Sequence, residues 1–164
     1  MSDKPQEKSV ANTREIPPEA AEKLFLGEIT PGEFLGMSQE RLYKIANMGH
    51  EMFKSGQIQG ALEIFEGLVA ASPYDSVFHT HLAATLARLE RFDEAKAEYT
   101  RALELNIANV DALVGRGEIY LRESKIAEAL KDIQRALELD PQANKDTTKR
   151  ARATLQALSK MAEE

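Results

Sequence analysis

The strongest constraint in this sequence is an internal repeat with a period of 34 residues. Stretches that begin at Gly56, Glu90 and Ser124 resemble one another along their length. A repeat of this size is a unit that cannot bury its apolar face alone, so stacked neighbours must share one continuous core. The equivalent residues, each one period apart, are Ala61, Ala95 and Ala129; Phe65, Tyr99 and Ile133; Leu68, Ala102 and Ala136; Pro73, Ile107 and Pro141; Gly49, Ala83 and Gly117; Met52, Leu86 and Tyr120.

The period and its small residues predict an all-α fold, a tetratricopeptide-repeat solenoid in which each repeat is a helix A, a short turn and a helix B. Gly49 is expected to let its helix approach the helix that carries Ala61, and Phe65 to fill the wider gap beside them. Pro73 is expected to end the second helix. We place the three repeats at residues 42–75, 76–109 and 110–143, within a repeat region of 38–143.

The segments outside the repeat region differ in character. Residues 1–18 are polar and contain proline, so we expect a disordered tail. Residues 19–37 are expected to form an N-terminal helical extension, and residues 144–164 a helix whose polar outer face caps the solenoid. The residues suited to cap the three A helices are Ser38, Asp75–Ser76 and Asn109, with Gly56 at the end of the first.

The composition restricts the classes of partner and the cellular compartment that we expect for this protein. Hydrophobic residues make up 43% of the chain, which is enough for a folded core, and the net charge of −6 argues against a nucleic-acid partner. The chain has no cysteine, which excludes disulfides and suits a reducing compartment. No apolar leader is visible in Met1–Val10, and no window is apolar enough to cross a membrane. We therefore expect a cytoplasmic protein without direct membrane insertion.

The sequence contains no catalytic or metal-binding constellation, so it predicts neither an enzyme nor a cofactor. His79 and His81 are two residues apart on a helix, point in different directions and cannot hold one ion together. Gly115 and Gly117 lie inside a predicted helix and lack the preceding strand of a phosphate-binding loop. We interpret the four tyrosines as core or groove residues rather than as catalytic acids.

In tetratricopeptide arrays the A helices line the concave face, so the function is expected in that groove. Positions 2, 5, 9, 12 and 13 of each repeat face it. The groove combines small and apolar centres with charged edges, which suits an extended peptide. The residues at these positions are Tyr43, Ala46, His50, Phe53 and Lys54 in the first repeat; Val77, Thr80, Ala84, Ala87 and Arg88 in the second; Asp111, Val114, Glu118, Leu121 and Arg122 in the third.

One familiar function of such grooves is excluded by the residues present. Tetratricopeptide co-chaperones that hold the C-terminal carboxylates of heat-shock proteins carry lysine, asparagine and arginine at five groove positions. The corresponding residues here are Ala46, His50, His81, Asp111 and Gly115. None of them is a lysine or arginine, and Asp111 would repel a carboxylate.

Three local motifs carry a resemblance to another family. They are Leu42–Tyr43 at the start of the first helix A, the turn Lys54–Ser55–Gly56, and the junction Tyr74–Asp75–Ser76–Val77–Phe78. With the short helical lead-in and the capping helix, residues 24–160 resemble the class II chaperones of type III secretion translocators, the LcrH/SycD family. The resemblance implies a chaperone that keeps hydrophobic, membrane-inserting translocator subunits soluble before secretion.

The resemblance also implies how a client is held. An extended client segment of the Pro-x-Leu-x-x-Pro kind would place its apolar side chains in separate pockets of the groove. His50 departs from the family, which often has tyrosine there, and this affects the shape of the first pocket. Carried over by position, the residues that would line the pockets are Tyr43, Ala46, His50, Phe78, His81 and Ala84.

The N-terminal extension allows two interpretations. The resemblance implies homodimerisation through this segment, whereas simple capping of the first repeat would bury the same apolar side chains. A second overall function also stays open, because a tetratricopeptide scaffold in another bacterial assembly, such as a pilus or cell-envelope complex, fits the same repeats. The candidate dimer residues are Leu24, Phe25, Ile29, Phe34 and Leu35.

Overall fold

The computed structural model describes residues 16–163. Within that part of the chain every regular element is an α-helix, so the predicted all-α class is confirmed. The first fifteen residues of the predicted disordered tail lie outside the described residues. The helices are α1 Pro18–Phe25, α2 Pro31–Phe34, α3 Gln39–Lys54, α4 Ile58–Ala71, α5 Ser76–Arg88, α6 Phe92–Leu105, α7 Val110–Arg122, α8 Ile126–Leu139 and α9 Asp146–Glu163.

The helices form a solenoid of three antiparallel pairs. α3 packs against α4, α5 against α6 and α7 against α8, and each pair also packs against the next through α4 with α5 and α6 with α7. α9 covers the open end of the solenoid by packing on both α7 and α8. This order of contacts is that of a tetratricopeptide array.

The turns within the three pairs have the same geometry. Gly56, Glu90 and Ser124, which occupy the same position of successive repeats, all adopt positive φ values of 82°, 60° and 59°. In each case the amide of the next residue donates to a carbonyl oxygen near the end of the A helix. Only the first of these positions is a glycine, so the stacked helices hold the left-handed turn at the other two despite its cost to residues with a side chain.

The A helices begin at the predicted caps. The side chain of Ser38 accepts from the amide of Arg41, and that of Asp75 accepts from the amides of Val77 and Phe78. Asn109 accepts from the amide of Ala112 in the same way. These bonds satisfy amides that the first turn of a helix leaves without partners.

Small residues stand where the helices of a pair approach most closely. A β-carbon added at Gly49 would lie 2.8 Å from Cγ2 of Ile64 and 3.0 Å from Cζ of Phe65. One added at Gly117 would lie 3.1 Å from Cγ1 of Ile133. The close approach lets the facing aromatic and aliphatic side chains fill the core, where Phe65 and Ile133 are fully buried.

Arg116 forms an ion pair within the third repeat and a hydrogen bond to the second. Arg116 on α7 donates from Nε and Nη2 to the two carboxylate oxygens of Asp132 on α8, at 2.7 and 2.9 Å. Its Nη1 also donates to Oγ1 of Thr100 on α6, at 3.2 Å. Three consecutive helices therefore share one guanidinium, which sets the position of α7 in the groove wall.

The N-terminal extension is loosely attached to the solenoid. α1 has no buried residue, whereas α2 begins with a capping box between Thr30 and Glu33 and places Gly32 against the end of α4. A β-carbon at Gly32 would lie 2.9 Å from the carbonyl oxygen of Ala71. α2 is thus the point at which the extension docks on the first repeat.

Candidate peptide-binding groove

α5 contacts both α3 and α7 along the concave side of the solenoid. A groove of about 690 Å³ lies over α5, between α3 and the wall formed by α7 and α9. Its volume is in the range of sites that bind small ligands and short peptide segments. The lining residues are His50, Phe53, Phe65, Val77, Thr80, His81, Ala84, Thr85, Ala87, Arg88, Tyr99, Asn109, Asp111, Gly115, Glu118, Thr147 and Arg150.

Three rings form the floor at the α3 side of the groove. The imidazole of His81 stacks on Phe65 with centroids 5.0 Å apart and planes inclined by 13°. His50 meets the same imidazole edge-on at 5.6 Å. Burial, together with the charge that His50 would carry, lowers the pKa of His81. His81 is therefore neutral at pH 7, and this part of the floor behaves as a flat aromatic surface.

The polar groups at the centre of the groove are already bonded to one another. Thr80 donates to the carbonyl oxygen of Ser76 at 2.8 Å and accepts from Nδ2 of Asn109 at 2.9 Å. Thr85 donates to the carbonyl oxygen of His81 at 2.8 Å. Both hydroxyls thus donate within α5, and the bond from Asn109 joins α5 to the start of α7.

Charged groups stand at the two edges of the groove. On one edge the guanidinium of Arg88 lies over the ring of Phe53, 5.4 Å from its centroid. On the other, Glu118 accepts from Arg150 of α9 at 3.2 Å. The lining thus combines charged side chains with small and apolar ones such as Ala84 and Val77.

Asp111 at the α7 edge is bound to the capping helix segment. Its carboxylate accepts from Nζ of Lys145 at 2.8 Å and from Oγ1 of Thr147 at 2.6 Å. Burial alone would raise the pKa of Asp111, but these two hydrogen bonds outweigh burial and hold the pKa below its ordinary value. The group is an anion at neutral pH, and its neighbours neutralise it.

Six of the eleven predicted contact residues line the groove: His50, Phe53, Val77, Thr80, His81 and Ala84. The other five do not. Phe78 and Val114 have no accessible surface and Ala46 is buried, so they form the core beneath the groove. Leu121 is half-buried against that core. A peptide in the groove of this structure would therefore not contact Phe78, Val114 or Ala46 directly.

Tyr43 lies outside the lining of the groove. Its ring packs beside Phe78 with centroids 5.1 Å apart, and its hydroxyl donates to Oδ2 of Asp75 at 2.9 Å. Burial and the bond to Asp75 raise the pKa of Tyr43 to about 12, so the phenol stays protonated. Tyr43 thus braces the cap of α5, and its contact with a partner stays a prediction.

Counting positions along the A helices missed the contributions of other elements. Phe65 and Tyr99 reach the floor from α4 and α6, and Thr147 and Arg150 reach the wall from α9. The two aromatic residues occupy the same position of successive repeats, which is a signal that the sequence did contain. α9 lies outside the repeat, so no periodicity could have assigned its side chains to the groove.

The third histidine lies away from the groove. His79 is buried between α5 and α6, with Nδ1 2.6 Å from Oε2 of Glu98 and Nε2 3.0 Å from the carbonyl oxygen of Pro73. The hydrogen bond to Glu98 raises the pKa of His79. His79 and His81 thus face different parts of the structure. Residues 16–161, whose side chains are described, contain no cluster of three or more metal-ligating side chains.

The apolar side chains of the extension divide into two groups. Phe25 is 90% exposed and Leu35 is 65% exposed, whereas Leu24, Ile29 and Phe34 are half-buried. The extension therefore caps the first repeat only in part, and two large apolar side chains of the predicted dimer set face solvent. Within residues 16–163 no helix is long and apolar enough to cross a membrane.

Comparison with known proteins assigns the repeats to a family. Residues 81–144 and residues 52–106 each match a family model described as tetratricopeptide repeat. The solved first tetratricopeptide domain of Spaghetti (RPAP3), bound to the HSP90 peptide SRMEEVD, is 30% identical, with a TM-score of 0.63 over 74% of this chain and 96% of that one. The chain belongs to the tetratricopeptide-repeat family.

Solved type III secretion chaperones have the same fold. The Yersinia enterocolitica chaperone SycD in complex with a peptide of the translocator YopD is 26% identical, with a TM-score of 0.65 over 77% of this chain and 98% of that one. The complex of PcrH with the chaperone-binding region of PopB is 22% identical, with a TM-score of 0.64 over 72% of this chain and 97% of that one. This chain thus has the fold of tetratricopeptide domains that have been solved with peptides bound.

Curated relatives are larger proteins. Human RNA polymerase II-associated protein 3 is 30% identical over 123 residues, which is 75% of this chain and 18% of that protein. The human mitochondrial import receptor subunit TOM70 is 27% identical over 136 residues, 79% of this chain and 22% of that protein. The chain therefore spans less than a quarter of the length of either relative.

Proposed function

We propose that this tetratricopeptide protein is a cytoplasmic chaperone of a bacterial type III secretion system that keeps hydrophobic translocator subunits soluble. An extended client segment of the Pro-x-Leu-x-x-Pro kind occupies the concave groove, and the chain acts by binding alone, without catalysis or a cofactor. The observation that carries the proposal is the groove itself, because its aromatic floor and its mutually bonded polar groups favour apolar side chains. The likeness to SycD and PcrH supports the choice of client.

The charges in the groove weigh against a heat-shock protein tail as the occupant. Two acidic residues, Asp111 and Glu118, line the α7 wall, and the cations Lys145 and Arg150 are engaged with them. The clamp positions Ala46, His50, His81 and Gly115 contain no lysine or arginine for a terminal carboxylate. The similarity to the Spaghetti domain therefore supports peptide binding in general, while the lining favours an apolar segment.

The strength of binding can be estimated from the groove. Each apolar anchor removed from water contributes roughly 1.5–3 kcal/mol, so three anchors contribute about 5–9 kcal/mol before the segment's ordering cost. Together with some hydrogen bonds to the peptide backbone, which offset the ordering cost, this predicts an affinity in the micromolar range. Covering an apolar segment in this way removes it from aggregation and from premature membrane insertion.

Two fluorescein-labelled peptides test the proposal on the full chain. The first, GSPALAAPSG, is the apolar probe, and the second is the HSP90 peptide SRMEEVD. We expect fluorescence anisotropy to show micromolar binding of the apolar probe, lost in a scrambled version, and no saturable binding of SRMEEVD. Saturable binding of SRMEEVD alone would contradict the proposal, because it would mean that the groove recognises a carboxylate.

Matched variants connect this binding to the groove. Val77→Glu places a charge on a lining side chain, and we expect it to weaken the apolar probe by about tenfold or more. Ile107→Glu is the control, because Ile107 is 76% exposed and lies outside the groove. If both variants bind the probe as the native protein does, the peptide does not use the groove.

The client itself can be identified by pull-down from the native host and mass spectrometry. The proposal expects a stoichiometric partner with long apolar segments and a Pro-x-Leu-x-x-Pro stretch, which aggregates when purified alone and stays soluble with this chain. Soluble or envelope-assembly partners that lack such segments would favour the alternative, a scaffold in another bacterial assembly. The highly regular third repeat and His50, where the chaperone family often has tyrosine, are the observations that favour this alternative.

We also propose that the N-terminal extension mediates a homodimer through Leu24, Phe25, Ile29, Phe34 and Leu35. The exposure of Phe25 and Leu35 in the single chain supports this assignment. Light scattering should give twice the chain mass for the native protein and a single chain mass for Phe25→Asp. Deletion of residues 1–36 should likewise reduce each particle from two chains to one. An unchanged number of chains per particle in both variants would refute the proposal.

A further inference from the structure

The tyrosine at the floor of the groove has an unused hydroxyl. Tyr99 on α6 is only 6% exposed, and its ring lines the groove. No residue in the described part of the chain forms a hydrogen bond with this hydroxyl, and no buried side-chain oxygen or nitrogen there lacks a partner, so the hydroxyl oxygen is open to the groove. Burial raises the pKa of Tyr99 well above its ordinary value, so the group is a neutral O–H donor at physiological pH.

A glycine on the neighbouring helix lets the phenol reach the groove. A β-carbon at Gly115 on α7 would lie 2.2 Å from Cζ of Tyr99 and 2.4 Å from its hydroxyl oxygen. The equivalent position of the second repeat carries the full side chain of His81. The third repeat therefore contains a notch that the second lacks, and the Tyr99 hydroxyl lies within it.

The charged neighbours of the notch are already paired. Glu118 is bound to Arg150, and Asp111 is bound to Lys145 and Thr147. The hydroxyl thus faces a groove wall whose own acceptors are engaged elsewhere. An occupant that enters the groove brings the acceptor that the protein does not supply.

We propose that the Tyr99 hydroxyl donates a hydrogen bond to a backbone carbonyl oxygen of the peptide segment in the groove, and that Gly115 provides the room this contact needs. The inference rests on the proposed function, because it takes an extended peptide as the occupant. A backbone carbonyl is present at every residue of such a segment, so the bond fixes the position of the chain without restricting its side chains. Which client binds is then determined by the apolar side chains of the segment, which pack on the aromatic floor formed by Phe65, His81 and His50.

The test uses the apolar probe GSPALAAPSG with full-length protein. Tyr99→Phe removes one oxygen atom and keeps the ring, so the fold is retained and far-UV circular dichroism checks it. Loss of one net hydrogen bond predicts affinity weaker by about 2- to 13-fold. Tyr74→Phe is the matched control, since Tyr74 is 60% exposed outside the groove, and it should leave the affinity unchanged.

A second variant and a modified probe locate the contact. Gly115→Ala displaces the phenol and should weaken binding of the probe at least as much as Tyr99→Phe does. Gly67→Ala is the control, because no atom lies within 4 Å of the added carbon, and it should leave the affinity unchanged. Replacing single amides of the probe by esters weakens their carbonyls as acceptors. The ester whose effect is not additive with Tyr99→Phe identifies the bonded carbonyl.

The outcomes separate the two proposals. If native protein and Tyr99→Phe bind the probe equally, the hydrogen bond is refuted and the peptide-binding groove stands. If the native protein does not bind the probe, the proposed function fails and this contact fails with it. A loss in Tyr99→Phe that Tyr74→Phe reproduces would also overturn the inference, because it would not arise from the groove.

Discussion

Removing the carboxylate of Asp132 should strongly destabilise the protein, because it leaves a half-buried cation without its partner. Asp132 is 4% exposed and accepts two hydrogen bonds from the guanidinium of Arg116, at 2.7 and 2.9 Å. In Asp132→Ala that guanidinium keeps only its bond to Thr100 at 3.2 Å. Its side chain is 20% exposed, so water replaces the lost acceptor only in part.

The expected cost follows from the burial of the pair. Leaving one member of a buried ion pair without its partner costs about 3–5 kcal/mol. Arg116 keeps its bond to Thr100 and is partly exposed, so we expect a loss at the lower end of this range. The free energy of unfolding of Asp132→Ala should fall by about 3 kcal/mol. For a chain of this size that corresponds to a melting temperature lower by about 6–12 °C.

Urea and thermal unfolding followed by far-UV circular dichroism measure this loss. Asp93→Ala is the control, because Asp93 pairs with Lys96 across 3.5 Å while its side chain is 97% exposed, and it should unfold like the native protein. The double variant Arg116→Met with Asp132→Leu should be more stable than Asp132→Ala, since no charge is left buried. A loss below about 1 kcal/mol in Asp132→Ala, or a double variant less stable than the single one, would refute this reasoning.

Two further predictions concern the second repeat. The raised pKa of His79 means that its protonated form stabilises the native state fully below pH 6.5, its ordinary pKa, and that this contribution is lost as the pH rises through the higher native value. The urea midpoint should therefore fall above pH 6.5 in the native protein and fall less in Glu98→Gln; equal slopes would contradict the pairing. Asp75→Ala removes the cap of α5 and the acceptor of the Tyr43 hydroxyl, and should cost about 1–2 kcal/mol in urea unfolding. Asn144→Ala, in which the replaced side chain bonds only Asp140 at an exposed site, serves as its comparison.

The repeat period explains why so much of the fold could be predicted. Because Ala61, Ala95 and Ala129 recur at one spacing, the structure predicted for one helix pair applies to all three repeats. Capping residues such as Ser38 and Asn109 indicate where the A helices begin. Counting positions along the A helices indicated nine of the residues that line the groove, whereas His81 was assigned through the family resemblance. Val114, at a counted position, and Phe78, taken from the resemblance, lie in the core beneath the groove, because the face that a helix presents depends on its rotation against its neighbours.

The remaining features of the groove depend on contacts between distant parts of the chain. Thr147 and Arg150 enter its wall from a helix without repeat register, and the unused hydroxyl of Tyr99 becomes evident only when α6 and α7 are packed. The amino-acid sequence by itself determined the class of fold, the helix pairs and the absence of thiol chemistry, since these follow from local pattern and composition. The tertiary structure decided which side chains face an occupant and which polar groups already have partners, because both depend on helix rotation and side-chain pairing between repeats.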